Sequence, residues 1–318
     1  MSSGPSGIKS SEKFSAGGHP HEPELNPAFD VLEPSALASP LVFSSPHSGA
    51  IYPQSFLAAA RLDATTLRRS EDAYVDELFA GMVAQGAPLI RARFPRAYLD
   101  LNREPYELDP RMFEGRLPVF ANTRSVRVAG GLGTIARVVG DSQEIYGARL
   151  KVDEALARID KLYKPYHRNL RMLLERAHRM FGVAILIDCH SMPSVSSVPL
   201  PDNGLDRRIK ADVILGDRYG TSCETAIVDV VEYELRQMGY KVLRNKPYAG
   251  GFITEHYGDP ANHFHALQIE INRGLYMDEK SMEKAARFGV VAADLRRVAE
   301  QLACFIAARD GNERAAAE

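Results

Sequence analysis

Two histidines follow short apolar runs that would deliver them to the edge of a β-sheet. His47 comes just after the run 41–45, in the string SSPHSGAIYP, and His190 comes after the run 183–188, in IDCHSMP. Two such histidines from different strands can bind one metal ion. Catalytic zinc takes three protein ligands, from histidine and carboxylate, and keeps one position for water. Because serine or proline lies beside each histidine, each could instead be a hydrogen-bonded loop residue.

Two acidic positions could complete or assist such a metal site. Glu71 and Asp72 follow Ser70 at the start of a predicted helix, and either could be the third ligand, although acids also stabilise the first turn of a helix without any metal. Glu270 lies in the apolar run LQIEINR, where a carboxylate is costly unless it is paired or lies at the end of the sheet. It could pair with Arg273, or act as a general base whose pKa is set by low dielectric and a nearby metal.

The string DLNR, which ends at Arg103, offers chemistry for binding a carboxylate. Asn102 supplies an amide beside the planar guanidinium of Arg103, and a guanidinium can form two parallel hydrogen bonds to one carboxylate. A surface salt bridge is the alternative interpretation. Arg244 precedes a glycine-containing loop, 247–254, that can approach a ligand closely, and it is a weaker candidate for the same role.

The elements that would position these side chains are predicted from periodicity. Short apolar runs predict buried strands at 41–45, 89–94, 183–188, 212–215 and 267–271. Amphipathic stretches predict helices at 72–85, 150–180 with a break at Pro165, 224–238 and 278–308. This alternation predicts a mostly parallel sheet covered by helices on both faces. Such sheets bind ligands beyond the carboxyl ends of their strands, so the loops after Ser45, Asp188 and Leu215 are expected to carry the chemistry.

The chain length and the local composition predict one folded unit between flexible ends. Residues 1–27 are rich in Ser, Gly and Pro and are expected to form a flexible tail. Residues 28–310 are predicted to form a single catalytic α/β domain, and residues 311–318 a flexible C-terminus. The Gly-, Pro- and Arg-rich segment 103–147 interrupts the alternation and predicts a loop-rich insertion in the domain.

Bulk composition argues against several classes of function. The formal net charge is -2 and there is no basic stripe, so the chain is not expected to bind nucleic acid. Its three cysteines include no CxxC pair, which favours a reducing compartment and argues against a disulfide framework. No apolar run approaches the ~18 residues of a membrane span, and the N-terminus has no apolar signal core. We therefore expect a cytoplasmic protein with no membrane partner.

Together the motifs resemble one known family. Over roughly 42–279 the chain is similar to the N-formylglutamate amidohydrolases, and the strings that carry the resemblance include SPHSGAIYP, SEDAYVDELF, RFPRAYLDLNREP, IDCHSMP, RNKPYAGGFITEHYG and LQIEINRGLYMDE. That family is related in fold to zinc carboxypeptidases and aspartoacylase-like enzymes. The resemblance therefore implies an α/β fold with a three-layer αβα core, in which helices cover both faces of a mixed, mostly parallel sheet.

The resemblance also implies a metal site. One zinc ion, or another divalent metal, would be bound by His47, Asp72 and His190. Carboxypeptidase-type enzymes have a glutamate three residues after the first histidine, where this chain has Ala50. The third ligand is therefore expected from the Glu71–Asp72 pair, and Asp72 is preferred because formylglutamate hydrolases carry an aspartate at that position.

The activity implied is hydrolysis of N-formyl-L-glutamate, a small acidic N-acyl amino acid, to formate and L-glutamate at the end of a histidine-degradation route. Glu270 would activate the water, Arg137 would stabilise the oxyanion, and Asn102 and Arg103, with Arg244, would fix the carboxylates. Two alternatives stay open: a hydrolase of another N-acyl amino acid or small peptide, and a non-catalytic homologue that binds an acidic ligand. The oligomeric state also stays open.

Overall fold

A mixed β-sheet forms the centre of the protein in a computed structural model that describes residues 22–140, 142–195, 198–199 and 208–317. Within these residues its strands are β1 Phe29–Leu32, β2 Leu41–Ser45, β3 Leu89–Ala92, β4 Ala184–Met192, β5 Val213–Gly216, β6 Val242–Arg244 and β7 Phe264–Asn272. They lie in the order β1-β3-β2-β4-β7-β5-β6. β1 is antiparallel to β3, and β5 is antiparallel to β7; the other pairings are parallel. The predicted mixed, mostly parallel sheet is confirmed.

Helices cover both faces of this sheet. They are α1 Gln54–Ala59, α2 Ala64–Arg68, α3 Val75–Phe79, α4 Val126–Ala129, α5 Val152–Arg158, α6 Lys164–Phe181, α7 Thr225–Gln237, α8 Phe252–Tyr257 and α9 Phe288–Ala317. α5, α6 and α8 pack on one face, whereas α3, α7 and α9 pack on the other. The three-layer αβα arrangement is therefore confirmed.

The sheet face under α6 changes from apolar to polar along β4 and β7. Side chains alternate between the two faces of a strand, and Leu186 and Ala266 pack into the apolar core beneath α6. The next two positions of each strand on the same face carry polar side chains: Asp188, His190, Gln268 and Glu270. β2 ends at Ser45, opposite the residue after Asp188, so this polar half of the face opens beyond the end of β2.

The two longest strands extend past their predicted limits. β4 continues to Met192 instead of ending at 188, and β7 begins at Phe264 instead of 267. The two strands pair with each other along their whole length. In the added segments polar residues interrupt the apolar pattern from which the strands were predicted, although the backbone pairing between β4 and β7 continues. His190 therefore lies inside a strand and not after it.

The direction of β5 corrects one expectation. β5 runs antiparallel to β7, with Ile214 opposite Glu270, so the loop after Leu215 leaves the sheet at the opposite end from the loop after Ser45. The three loops predicted to carry the chemistry therefore do not meet at one edge. Local periodicity reports where a strand lies, but its direction depends on the path by which the chain returns to the sheet.

Predicted helices are present with altered boundaries. α5 ends at Arg158, a π-helical turn spans Ile159–Tyr163, and α6 begins directly before Pro165. The predicted kink or break at Pro165 is therefore not a break: helical conformation is continuous from 152 to 181, and the π-helical turn lies just before Pro165, which lacks the N–H of a regular α-helix. α3 is likewise short and continues as a 3-10 helix over Ala80–Gln85.

The chain ends and the insertion differ in how closely they follow the prediction. Residues 1–21 of the predicted tail lie outside the described residues, whereas Pro23–Leu25 form a 3-10 helix and Leu25 is buried in the core. α9 continues to Ala317, so residues 311–317 are helical. The single domain 28–310 stays a prediction. Apart from Asp141, which is not described, the insertion 103–147 holds short elements such as α4 and Val138–Val139.

Among the described residues, no helix has both the length and the apolar character needed to cross a bilayer.

Candidate metal centre

Three side chains converge at the polar half of the sheet face: His47, Asp72 and His190. His47 lies in the loop after β2, Asp72 shortly before α3, and His190 in β4. The Nδ1 atom of His190 lies 3.0 Å from Asp72 Oδ2, and the Nδ1 atom of His47 lies 3.4 Å from the same oxygen. The three side chains are buried, and their possible ligand atoms lie within 4.8 Å of one another. The residues predicted as ligands thus form one group that could hold a metal ion.

The loop after β2 folds tightly enough to bring His47 to Asp72. The backbone N–H of Asp72 donates to the His47 carbonyl at 3.0 Å, which joins this loop to the start of α3. Gly49 permits the packing, because a Cβ atom there would overlap the backbone of Arg93 and Phe94. A larger residue at Gly49 would therefore displace the loop that carries His47.

Each histidine is also held from behind by a second carboxylate. His47 Nε2 lies 2.7 Å from Asp100 Oδ1, and His190 Nε2 lies 2.9 Å from Asp188 Oδ2. A metal-binding histidine usually donates its other ring N–H to such a group, which fixes the tautomer and the ring orientation. Sequence reasoning missed Asp100 and Asp188. Their signals were the DLNR string and the spacing of two residues between Asp188 and His190, which places both on one face of β4.

The donor set fits a divalent metal ion. Two imidazole nitrogens and one carboxylate match the ligands of catalytic zinc. His47 Nδ1 is buried and has no hydrogen-bond partner in the described part of the chain, as expected for a nitrogen that binds a cation. Asp188 is fully buried, and its ion-pair partner is His190 rather than an arginine or a lysine of the described residues. A bound cation would offset this excess of negative charge.

Electrostatics favour a positive charge within the group. Burial opposes ionisation of Asp72, but the hydrogen bond from His190 and the charges of His190 and His47 hold the pKa of Asp72 well below its ordinary value. Burial also opposes the charged form of His190, but Asp188 and Asp72 raise the pKa of that imidazole well above its ordinary value. Either a protonated imidazole or a metal cation can supply the charge that these carboxylates favour.

Within the acidic pair, Asp72 and not Glu71 belongs to the group. Glu71 accepts hydrogen bonds from Tyr52 at 2.7 Å and from Arg68 at 3.2 Å, and neither of those residues lies in the group. Asp72 Oδ1 accepts a bond from Arg273 Nη2 at 3.0 Å, which leaves Oδ2 toward the histidines. This geometry supports Asp72 as the third ligand.

Glu270 lies beside His190. The two residues are paired in register on the parallel strands β7 and β4, so their side chains occupy neighbouring positions on one face. Gln268 Nε2 donates to Glu270 Oε1 at 2.9 Å. Burial raises the pKa of Glu270 to about 7, and the charge of Asp72 adds to the rise while His190 opposes it. Arg273, the alternative partner, pairs with Asp72 instead.

Asn102 and Arg103 lie next to the group, with different surroundings. Asn102 is buried: its Nδ2 lies 3.1 Å from both Asp188 Oδ2 and His190 Nε2, and its Oδ1 accepts from the Ile253 N–H. These contacts position the second histidine. Arg103 donates from Nε to the Leu132 carbonyl and from Nη1 to the Asn102 carbonyl, so within the described residues its Nη2 stays available for a ligand.

The two other predicted arginines are not brought to the site. Arg137 pairs with Asp109 at 3.0 Å and with Glu144 at 3.2 Å. Arg244 pairs with Asp229 of α7 at 2.7 Å. Leu215 is aligned with both Arg244 and Ile269, so Arg244 lies on the opposite sheet face from Glu270. Arg244 therefore does not lie with His47, Asp72 and His190, and this geometry does not support its predicted contact with a substrate carboxylate.

Arg96 lies at the site although sequence reasoning assigned it no role. Its Nη2 donates to Asp100 Oδ2 at 2.9 Å, behind His47. Burial opposes the charged form of Arg96, but the negative charges of Asp100, Asp72 and Glu270 raise its pKa. The signal in the sequence for a place at the site was the position of Arg96 in the string RFPRAYLDLNREP, four residues before Asp100.

Fold and site together define a class: a three-layer α/β protein whose central sheet carries a buried group able to bind a metal. The model of the N-formylglutamate amidohydrolase family matches residues 39–277. The chain therefore belongs to the N-formylglutamate amidohydrolase family.

Individual relatives agree with this assignment. The chain is 28% identical to an N-formylglutamate deformylase of Pseudomonas putida over 76% of its own length and 82% of the relative. The crystal structure of an N-formylglutamate amidohydrolase from Ralstonia eutropha is 37% identical, with a TM-score of 0.80 over 88% of this chain and 98% of that one. A gene product of Agrobacterium tumefaciens shares the fold, with a TM-score of 0.63, at 17% identity over 88% of this chain and 96% of that one.

Proposed function

We propose that this chain is a zinc-dependent enzyme that hydrolyses N-formyl-L-glutamate to formate and L-glutamate. The observation that carries the proposal is the buried group of His47, Asp72 and His190, with Glu270 in register beside His190. Membership of the family and the deformylase names of the Pseudomonas relatives support the substrate. As the sequence resemblance implies, we place the reaction in histidine degradation in the cytoplasm.

The residues of the site suit the reaction. A bound zinc ion would lower the pKa of a water molecule and polarise the formyl carbonyl. Glu270 takes a proton from the water as its oxygen attacks the formyl carbon, and gives that proton to the amine nitrogen as the C–N bond breaks. Burial, which raises the pKa of Glu270 to about 7, suits a group that both accepts and returns a proton near neutral pH.

Two arginines suit the charges of the substrate. Arg96 donates at 2.9 Å to Asp100, the carboxylate that holds His47, so we assign to it the stabilisation of the developing oxyanion, a role that Arg137 was expected to fill. Arg103 is nearly buried, and its free Nη2 can bind the carboxylate next to the amide nitrogen. Asn102 supports the reaction indirectly, because its amide holds His190 and Asp188.

Metal analysis combined with an amine-release assay tests the proposal. The purified protein is expected to hold about one zinc ion per chain, since a single three-ligand group is proposed, and to release glutamate from N-formylglutamate faster than from N-acetyl- or N-succinylglutamate. Faster release from another N-acyl compound would favour the related hydrolase. A metal-free, inactive protein that still binds glutamate would indicate a non-catalytic homologue.

The variant His190→Ala tests whether turnover depends on the bound metal. His190→Ala is expected to lose both zinc and turnover while staying folded, because it removes one of three ligands. His263→Ala is the control, since His263 is exposed and lies outside the metal-binding group. Full zinc occupancy in His190→Ala would remove His190 from the ligand set.

A further inference from the structure

The insertion 103–147 carries an arginine whose hydrogen-bonding capacity is unused. Arg127 lies in α4, and its side chain is 33% exposed. Its ion-pair partner is Glu107, whose Oε2 lies 3.7 Å from Nη1, beyond hydrogen-bond distance. A guanidinium has five N–H donors, and those of Arg127 donate no hydrogen bond to any described residue. Arg111 and Arg137 of the same insertion, in contrast, both donate to Asp109.

A series of contacts connects Arg127 to the candidate metal centre. The Leu132 N–H donates to the Arg127 carbonyl at 2.8 Å, and the Leu132 carbonyl accepts from Arg103 Nε at 2.9 Å. Arg103 Nε lies 3.7 Å from Asp100 Oδ2, which also accepts from Arg96. The contacts therefore lead from Arg96, which bonds to the carboxylate behind His47, through Arg103 to the backbone of Arg127 in α4.

These arginines repel one another without a ligand. Burial lowers the pKa of Arg103, and the positive charges of Arg96 and Arg127 lower it further, although Asp100 opposes the change. The Nη2 of Arg103 and the guanidinium of Arg127 donate no hydrogen bond to the described residues, and the acidic group that faces Arg127 is Glu107, 3.7 Å from its Nη1. An anionic ligand between them would offset the repulsion and supply acceptors to both.

We propose that Arg127 binds the second carboxylate of a dicarboxylic N-formyl amino acid and thereby sets the preference for glutamate. The inference rests on the proposed function. When the formyl carbon lies at the metal-binding group, the α-carboxylate is the nearer of the two carboxylates and the side-chain carboxylate is the farther. The order Arg96, Arg103, Arg127 matches the order of carbonyl oxygen, α-carboxylate and side-chain carboxylate.

A comparison of two substrates isolates this contact. N-formylglutamate and N-formylglutamine differ in the charge of the group that Arg127 would bind. For Arg127→Ala, kcat/KM is expected to fall roughly tenfold on N-formylglutamate and to change less than about twofold on N-formylglutamine, because a partly exposed charge-assisted contact is lost with only one of them. The loss should appear mainly in KM, since the contact is remote from the reacting bond.

Two further variants sharpen the test. Arg127→Lys keeps the charge without the planar fork and is expected to fall between wild type and Arg127→Ala on N-formylglutamate. Arg116→Ala is the control: Arg116 is an exposed arginine of the same insertion, so its loss should leave the ratio of the two substrates unchanged. Melting temperature and zinc content are measured for each variant, and Arg127→Lys replaces Arg127→Ala if the alanine variant does not fold.

The outcomes separate this inference from the function on which it rests. A lower preference for N-formylglutamate in Arg127→Ala, with Arg116→Ala like wild type, supports the role of Arg127. An equal loss on both substrates, or no loss, overturns that role while leaving the deformylase activity intact. A wild-type enzyme inactive toward every N-formyl amino acid overturns the proposed function and the inference with it.

Discussion

The substitution Glu270→Gln separates a catalytic role of this carboxylate from a structural one. Glutamine is nearly isosteric with glutamate, and its side-chain oxygen can keep the bond from Gln268 Nε2, which is 2.9 Å long. Glu270 is not one of the three grouped ligands. The variant is therefore expected to fold and to bind metal as the wild type does.

The expected loss of activity follows from the role of a general base. Such catalysis contributes ~10²–10⁴-fold, and at ~1.4 kcal/mol for each factor of ten this corresponds to about 3–5 kcal/mol of transition-state stabilisation. We expect kcat of Glu270→Gln on N-formylglutamate to fall by at least that factor. The acidic limb of its pH–rate profile should also flatten, because activity that needs an ionised Glu270 is lost as the pH falls through its pKa.

Glu270→Gln is expected to lose activity but not stability. Burial raises the pKa of Glu270 from 4.5 to about 7, so the folded protein binds this proton more tightly than the unfolded chain. The ionised carboxylate therefore destabilises the metal-free fold above about pH 7, by up to ~3 kcal/mol, and the penalty disappears below about pH 4.5. Without metal, Glu270→Gln should be at least as stable as the wild type at about pH 8.

A matched control is available in Glu71→Gln. Glu71 is also a buried carboxylate whose pKa burial raises, but it bonds to Tyr52 and Arg68 outside the metal-binding group. Glu71→Gln should keep kcat within about twofold, because the amide oxygen can still accept from Tyr52 and Arg68 outside the site. Turnover is measured on zinc-loaded protein, and unfolding by denaturant on metal-free protein.

One result would refute the reasoning about Glu270. A folded, zinc-loaded Glu270→Gln enzyme with near-normal turnover cannot be using this carboxylate as its base. If that enzyme also melts at a lower temperature, Glu270 is a structural residue, and the search for a base moves to Glu71 or His256.

Three more predictions concern the metal ligands, the carboxylate behind His190, and acid stability. Asp72→Ala should lose zinc while Glu71→Ala retains it, as measured by metal analysis; loss in Glu71→Ala alone would reverse the ligand assignment. Asp188→Asn should weaken zinc affinity roughly 10–100-fold, as removal of such supporting carboxylates does, and an unchanged affinity in a chelator competition would contradict that role. Burial lowers the pKa of His167 to about 3, so the unfolded chain binds this proton more tightly, and stability should fall as the pH drops below about 6.5. His167→Gln should reduce that slope in denaturant unfolding, and an equal slope would show that other groups cause it.

The sequence was sufficient to predict the class of fold and the three side chains, His47, Asp72 and His190, that the structure brings together as a group able to hold a metal ion. The strands 41–45 and 183–188 were predicted from apolar runs. His47 and His190, which follow these runs, were recognised because histidine is a common metal ligand. Resemblance to the family then distinguished Asp72 from Glu71. In the structure, Asp72 faces both histidines while Glu71 faces Tyr52 and Arg68.

The neighbours of those residues could not be predicted from the sequence. Asp100 lies 53 positions from His47, and Asp72 lies 118 positions from His190, so no local pattern relates them. The same applies to Arg244, whose strand was not predicted and whose side chain lies on the opposite sheet face from Glu270.

Periodicity records burial and local hydrogen bonding, because both act on residues a few positions apart. Strand direction, register and loop path decide which distant side chains meet. Strand direction, register and loop path are determined by tertiary packing, when helices cover the two faces of the sheet and β4 pairs with β7 along its length. The sequence therefore determined which residues could perform the chemistry, and the tertiary structure decided that Asp100, Asp188 and Arg96 would stand beside them.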